Sequence, residues 1–485
     1  MSKEILSLKP TQVWKYFYDL TQIPRPTHHT EAVRNYLVEF GSRLGLETHE
    51  DKVGNIVIRK PASAGYEDAP VVILQSHVDM VPQANSHVQH DFLKDPIDAY
   101  IDGNKVTAHD TTLGADNGIG VAAILAVLED NSLKHPALEA LFTIDEEEGM
   151  DGAFGIEPGF LKGKILLNLD TEDEGELCIG CAGGADITAS FQYKEEENEY
   201  TEDFAFKISL TGLRGGHSGG EIHLGRANAN KLMFRFLKEA VREYEVRLAT
   251  VDGGSLRNAI PREAFAVVTV PEDDVEDLKD LVAAYEEMYR EEYTDIENNI
   301  SFKIEETVWP KKLIPEEIQD NLIHAVEACQ NGVISMLTSF PGIVETSSNL
   351  ARVKTTEGKV EVGFLARSSS DTRKEQICSS IESAFALAGA KVVIDGSYPG
   401  WQPNPHSNTK DVMAVLFEEL FGRKASVNVV HAGLECGIIL DSTPGLDIVS
   451  FGPTIKAPHS PDEYVKIDTV ERFWKYLTTT LERLK

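Results

Sequence analysis

The tetrapeptide His77-Val78-Asp79-Met80 places an imidazole and a carboxylate two residues apart. It follows Val71-Val72-Ile73-Leu74, a short β-branched run after Pro70 that reads as a buried strand. In an extended chain, residues 77 and 79 lie on the same side. Asp79 could therefore hold one ring nitrogen of His77 and leave the other free for a metal. The same pair could also end a strand by facing solvent, so partners elsewhere in the chain must decide.

Four further sites follow the same rule. Asp116 lies in the Gly-rich loop 111–118, which opens a helix. Glu146 and Glu147 follow an apolar run ending at Ile144, and Asp170 follows one ending at Leu169. His459 lies eight residues past the run ending at Phe451. Open α/β sheets gather functional groups outside the carboxyl ends of their strands, so these residues are expected to converge. Two imidazoles and three carboxylates without a thiolate suit zinc, manganese or cobalt. Five ligands exceed the three that an open catalytic zinc keeps. They suit two divalent cations sharing one carboxylate, with Asp116 as the natural bridge. Glu146, beside Glu147, is then a candidate general base. Any one of these residues alone would read as a surface group; their shared position at strand ends makes that reading poor.

A second Gly-rich stretch, 212–220, lacks the G-K-[ST] of a phosphate-binding loop. Its glycines could present His217 at a loop tip to stabilise an oxyanion, or could simply form a mobile turn. Cys178 and Cys181 match C-x-x-C, but no second pair exists for a zinc ribbon, so the spacing reads as incidental.

Alternating elements must position these groups. An amphipathic helix is expected over about 29–45 from Val33, Leu37, Phe40 and Leu44. Strands are expected at 53–59, 71–75, 138–144 and 164–169, with a small-residue helix at 117–130. This alternation predicts a mostly parallel sheet with helices on both faces. From about residue 187 the strands alternate in and out, as at 204–210, 264–270 and 360–365, between charged helices at about 273–292 and 371–389. A strand–helix–strand pattern occurs twice, hinting at an internal duplication. After residue 401 the α/β style resumes, with helices near 409–421 and 467–483 around a strand at 446–451. The expected architecture is an α/β catalytic domain, 1–186 and 399–485, interrupted by an α+β domain at 187–398.

Composition narrows the class. The chain has 485 residues, of which 42% are hydrophobic, enough for sizeable cores. A net charge of −33 argues against nucleic acid and anionic membranes as partners, and favours cations. No 18-residue apolar run and no secretory h-region is present, and the five cysteines are few and odd in number. A cytoplasmic setting is expected.

Several longer motifs carry a resemblance: 76–83 (SHVDMVPQ), 111–120 (TTLGADNGIG), 145–155 (DEEEGMDGAFG), 168–176 (NLDTEDEGE), 215–223 (GGHSGGEIH), 257–263 (RNAIPRE), 431–437 (HAGLECG) and 452–463 (GPTIKAPHSPDE). Together they resemble the aminoacyl-histidine dipeptidases, also called Xaa-His dipeptidases, peptidase D or carnosinase-like enzymes. These belong to the di-zinc aminoacylase and glutamate-carboxypeptidase superfamily. The resemblance spans nearly the whole chain. It implies that His77, Asp116 and Asp170 bind one metal, and that Asp116, Glu147 and His459 bind the other. It implies that Asp79 orients His77 and Glu146 is the base. It further implies that His217 and Asn258 come from an inserted lid and dimerisation domain, with Arg367 and Gly433 holding the substrate. The expected reaction is hydrolysis of dipeptides such as β-Ala-His by a homodimer carrying two zinc ions, with cobalt or manganese as alternatives. Asp145, where relatives often carry Thr, would add charge beside Glu146. The competing readings are a tripeptidase, an N-acyl amino acid deacylase or a carboxypeptidase, and, from another class, a non-catalytic metal-binding protein. A dinucleotide enzyme fails for want of a fingerprint loop.

Overall fold

The computed structural model describes residues 3–485. The chain divides into two compact units. One comprises Met1–Gly180, Trp401–Val429 and Leu434–Lys485; the other comprises Cys181–Gly400 and Val430–Gly433. These bounds differ from the expected breaks at 186/187 and 398/399 for a physical reason. The strand Gly183–Gln192 pairs along its length with Lys359–Ser368 and in part with Lys391–Tyr398, so 183–186 go with the insertion. Val430–Gly433 joins it through Ala182 N–H, which donates to the carbonyls of Val430 and Ala432.

The first unit is built on an eight-stranded mixed sheet with helices on both faces. Its parallel core is four strands: Leu138–Thr143, Val72–His77, Ile165–Asn168 and Asp447–Ser450. Ile56–Lys60 and Glu47–Glu50 extend one side antiparallel, and Glu176–Cys181 and Ser426–Val430 extend the other. Val72–His77 is buried at every position, as expected of a strand covered on both faces. The helix Ala115–Glu129 packs against it and is buried along almost its whole length. Its Gly120 is required by close approach, since a Cβ there would run into the side chains of Asn117 and Ser76.

A separate four-stranded sheet belongs to the same unit. It orders Ile455–Lys456, Tyr464–Lys466, Lys105–Ala108 and Ala99–Asp102. The last two form a hairpin around Gly103-Asn104, a turn pair suited to left-handed backbone. This sheet sets the segment before Asp116 beside the segment after His459.

The second unit carries a nine-stranded sheet over its own core, which includes Phe191, Phe206, Phe234, Phe236, Phe364 and Phe385. Its main strands run in the order Ser301–Glu306, Phe204–Thr211, Ala264–Val270, Arg247–Gly253, Val344–Thr356, Lys359–Ser368, Gly183–Gln192, Lys391–Tyr398. The order has the same form from either edge. Each edge strand follows a helix, Val275–Glu292 or Asp371–Leu387, and each helix follows a strand two places inward. A short pair, Gly216–His217 with Ala259–Ile260, stands apart from the large sheet.

Candidate active site

His77 is the last residue of the central parallel strand and is buried. Its Nδ1 lies 3.3 Å from Asp79 Oδ1. Its Nε2 lies 3.1 Å from Asp116 Oδ1 and 3.5 Å from Asp170 Oδ1. His459 Nε2 lies 3.3 Å from Asp116 Oδ2 and 2.9 Å from Glu147 Oε2. The two oxygens of Asp116 thus face two different imidazoles. Candidate ligand atoms of His77, Asp116 and Asp170 lie within 4.8 Å of one another, as do those of Asp116, Glu147 and His459. A third group joins His77, Glu146 and Glu147.

The charges show what such a cluster lacks. Burial alone would push Asp116 up, but hydrogen bonds with His459 and His77 hold it below the usual carboxylate range. Burial would lower His77; Asp170, Asp116 and Asp79 outweigh it and raise it instead. His459 is pushed up to about 11 by its hydrogen bonds with Asp116 and Glu147. Burial raises Glu147 and Asp170, and Glu147 Oε1 is enclosed without a hydrogen-bond partner. Three carboxylates facing two imidazoles, with one oxygen orphaned, fit a pair of divalent cations sharing Asp116.

Glu146 is raised well above the usual range, first by burial and then by Asp170, Glu435 and Glu147. Asp145 does not point the same way: its carboxylate accepts the His28 N–H at 2.7 Å. Asp79 is fully buried. Besides His77, it accepts N–H groups from Glu146 at 3.1 Å and Glu147 at 3.3 Å, and the Thr27 hydroxyl at 3.0 Å. One carboxylate therefore orients a candidate ligand imidazole and fixes the backbone of a second candidate ligand and of the candidate base.

Several supporting groups escaped the sequence reading. Glu463 is buried and accepts four successive N–H groups, from Leu113 to Asp116, at 2.7–3.3 Å. Arg25 is buried and donates to the carbonyls of Val78, Asp79 and Gly114. Glu435 accepts from Gln75 at 2.7 Å and Thr143 at 2.8 Å, and burial pushes it up to about 8. Glu172 is also pushed up to about 8, by burial first and then by Asp116 and Asp170. None of these carries a strand-end mark; the Gly103-Asn104 turn was the available signal for the small sheet that delivers Glu463.

The second unit gathers the remaining candidates. His217 pairs with Ala259, and Ser218 N–H donates to the Asn258 carbonyl at 2.8 Å. His217 Nδ1 accepts the N–H groups of Gly219 and Gly220 at 3.2 and 3.0 Å, so the ring proton resides on Nε2. Burial and then Arg367 lower its pKa, which keeps the imidazole neutral. A Cβ at Gly219 would meet the His431 carbonyl, the His217 ring and Arg367, so a glycine is needed there. Arg367 is buried, donates to the Tyr398 hydroxyl at 3.0 Å, and has an unpartnered Nε. Gly433 lies against the Tyr398 ring. His431, missed in the sequence, bonds Ser347 Oγ at 2.8 Å and is held down at about 3 by burial, Arg367 and His217.

Known proteins resemble this chain. Residues 208–297 match the peptidase dimerisation domain family. The cytosol non-specific dipeptidase of Escherichia coli (strain K12) is 45% identical over 99% of this chain and 99% of its own. The crystal structure of aminoacylhistidine dipeptidase from Vibrio alginolyticus covers 100% of this chain and 98% of its own, at 46% identity and a TM-score of 0.95. A tripeptidase from Staphylococcus aureus shares the fold at 17% identity and a TM-score of 0.56, covering 98% of this chain and 99% of its own. The identity to full-length dipeptidases, set beside the paired ligand groups, shows that the chain belongs to the aminoacylhistidine dipeptidase family of M20 metallopeptidases.

Proposed function

We propose that the protein is a two-metal dipeptidase that releases the C-terminal residue of dipeptides, with Xaa-His such as β-Ala-His preferred among its substrates. The observation that carries this reading is Asp116, whose two oxygens face the imidazoles of two separate ligand groups. His77, Asp116 and Asp170 would hold one cation, and Asp116, Glu147 and His459 the other. Two divalent ions there, zinc first and cobalt or manganese next, would polarise the scissile carbonyl and acidify the attacking water. Glu146, raised by its surroundings, takes the proton of that water and returns it to the leaving amine. Asp79 keeps His77 in one tautomer throughout.

The second unit supplies substrate-holding chemistry in this proposal. Arg367 provides a guanidinium for a carboxylate, and His217 provides a neutral Nε2–H for an oxyanion. Asn258 and Gly433 complete the group. The match of 208–297 to a dimerisation family supports assembly as a homodimer through this unit. The Escherichia coli relative's name places that protein in the cytosol, and the same compartment is proposed here.

The test is a hydrolysis panel of β-Ala-His, Gly-His, Ala-Ala and a tripeptide, before and after chelation and again after zinc return. Cleavage of the dipeptides should vanish with chelator and recover with zinc, and the tripeptide should resist. Chelator-insensitive cleavage, or none on any dipeptide, overturns the reading.

A further inference from the structure

A row of bonded polar side chains lies just beneath the candidate ligands. Gln75 precedes His77 by two residues and shares its face of the strand. Asn168 precedes Asp170 by two, and Thr143 precedes Glu147 by four. Gln75 Nε2 donates to Thr143 Oγ1 at 3.1 Å and to Glu435 Oε2 at 2.7 Å, and Thr143 Oγ1 donates to the same Glu435 oxygen at 2.8 Å. On the other side, Asn168 Nδ2 donates to Gln75 Oε1, Ser450 Oγ donates to Asn168 Oδ1, and Thr171 Oγ1 lies 2.7 Å from Ser450 Oγ. The row therefore crosses all four parallel strands, Leu138–Thr143, Val72–His77, Ile165–Asn168 and Asp447–Ser450. Thr143, Gln75, Asn168, Ser450 and Glu435 are each at most 2% exposed. Glu435 Oε1 is the one buried polar atom of these side chains left without a partner.

One pleat farther from the candidate ligands, alternation puts Leu141, Ile73, Leu166 and Ile448 on the same face of the same four strands, all buried and apolar. An apolar layer is thus the sheet's own way of filling this face. Polar groups buried there cost free energy wherever a bond fails, so a bonded row is a poor choice for stability alone. What such a row supplies is definition: bonds made head to tail hold neighbouring strand ends in one lateral arrangement. Two-metal hydrolysis needs cations about 3.5–4 Å apart, and ligands held to within about 0.5 Å. Resting on the two-metal reading above, we infer that Gln75 is a positioning residue: through Thr143, Asn168 and Glu435 it locks the strand ends that carry His77, Glu147 and Asp170, and so sets the spacing of the two cations.

The experiment loads the full chain with manganese(II). It reads the exchange-coupled signal of the ion pair by electron paramagnetic resonance, the affinity of each cation by calorimetry, and the melting temperature. Gln75→Met keeps the length of the side chain and removes its three bonds. It should weaken the more loosely held cation about tenfold, the low end of what losing a supporting bond costs a metal site, and diminish the coupled signal. Thr143→Val removes one hydroxyl, should act in the same direction, and takes the place of Gln75→Met if that variant fails to fold. Ile73→Val trims the same face one pleat away; it should lower the melting temperature while leaving the signal and both affinities at parent values. The proposal is overturned if folded Gln75→Met, or Thr143→Val in its place, keeps the parent's signal and affinities, or if Ile73→Val changes them as much. A parent that shows no coupled pair overturns the two-metal reading, and this inference with it.

Discussion

Glu146 owes its chemistry to its surroundings. Burial and the charges of Asp170, Glu435 and Glu147 raise it, so it keeps affinity for a proton that an exposed glutamate would shed. Glu146→Gln should lower turnover by about 10²–10⁴-fold, the usual contribution of a general base. Metal content measured by atomic emission should stay at the parent value; lost metal would make Glu146 a ligand instead. Asp79→Ala should do the reverse, weakening metal affinity by about 10–100-fold because His77 loses the group that orients it. His431 offers a pH test. Its folded pKa of about 3 lies below the ordinary 6.5, so below pH 6.5 the unfolded chain binds a proton that the folded chain refuses. Stability from this residue is fully present above pH 6.5 and is lost as pH falls toward 3, by at most about 5 kcal/mol. Urea midpoints between pH 7 and 4 should fall less steeply in His431→Gln than in the parent; equal slopes would refute the assignment. The candidate ligand residues were legible as a converging group because their types and their places at strand exits coincide. Glu172, Glu435 and His431 were not, because an isolated acid or imidazole in a loop carries no periodic mark, and only tertiary burial distinguishes it.

At the scale of elements, the loop that carries Asp116 depends on Glu463. Four N–H groups at the start of the helix Ala115–Glu129 point at one carboxylate, which offsets the orphan donors and the positive end of the helix dipole. Burial first, and Asp116 next, push Glu463 up to about 7, while those N–H groups pull it back down. Glu463→Gln keeps the shape but turns an acceptor into a donor facing N–H groups. It should destabilise the protein by about 1–3 kcal/mol in urea titration and weaken metal binding with it. Unchanged stability would mean that the loop holds itself. The parallel core was readable because both faces of Val72–His77 and Leu138–Thr143 are buried, giving apolar runs without alternation. The strands Lys105–Ala108, Ile455–Lys456 and Tyr464–Lys466 were not, since each is two to four residues long and the sheet is joined through Lys105–Ala108 pairing with Tyr464–Lys466, hundreds of positions away. The first break, expected at 186/187, lies at 180/181 for a related reason: Gly183–Gln192 looks locally like a continuation of the first unit, and only its pairing assigns it to the second.

Across the whole molecule, the insertion separates His459 from the other four candidate ligands, which lie between residues 77 and 170. Bound cations would therefore close a loop of nearly the entire second unit, joining the two ends of the first. Ions that bind only the folded state stabilise it by mass action, by about 2.7 kcal/mol at a free concentration one hundred times Kd. The net charge of −33, visible in composition alone, raises the local cation concentration and works in the same direction. Chelation should lower the melting temperature by a few degrees, and zinc return should restore it. The location of the effect is the sharper test. Hydrogen exchange after chelation should speed up in 109–117, 144–148 and 455–463, where the ligand loops and the Glu463 contacts lie. The second unit's sheet rests on its own apolar core and offers none of the five candidate ligands, so its exchange should hold steady. Protection lost first within Phe204–Thr211 or Lys359–Ser368 would show that the cations stabilise something other than the groups joined at Asp116.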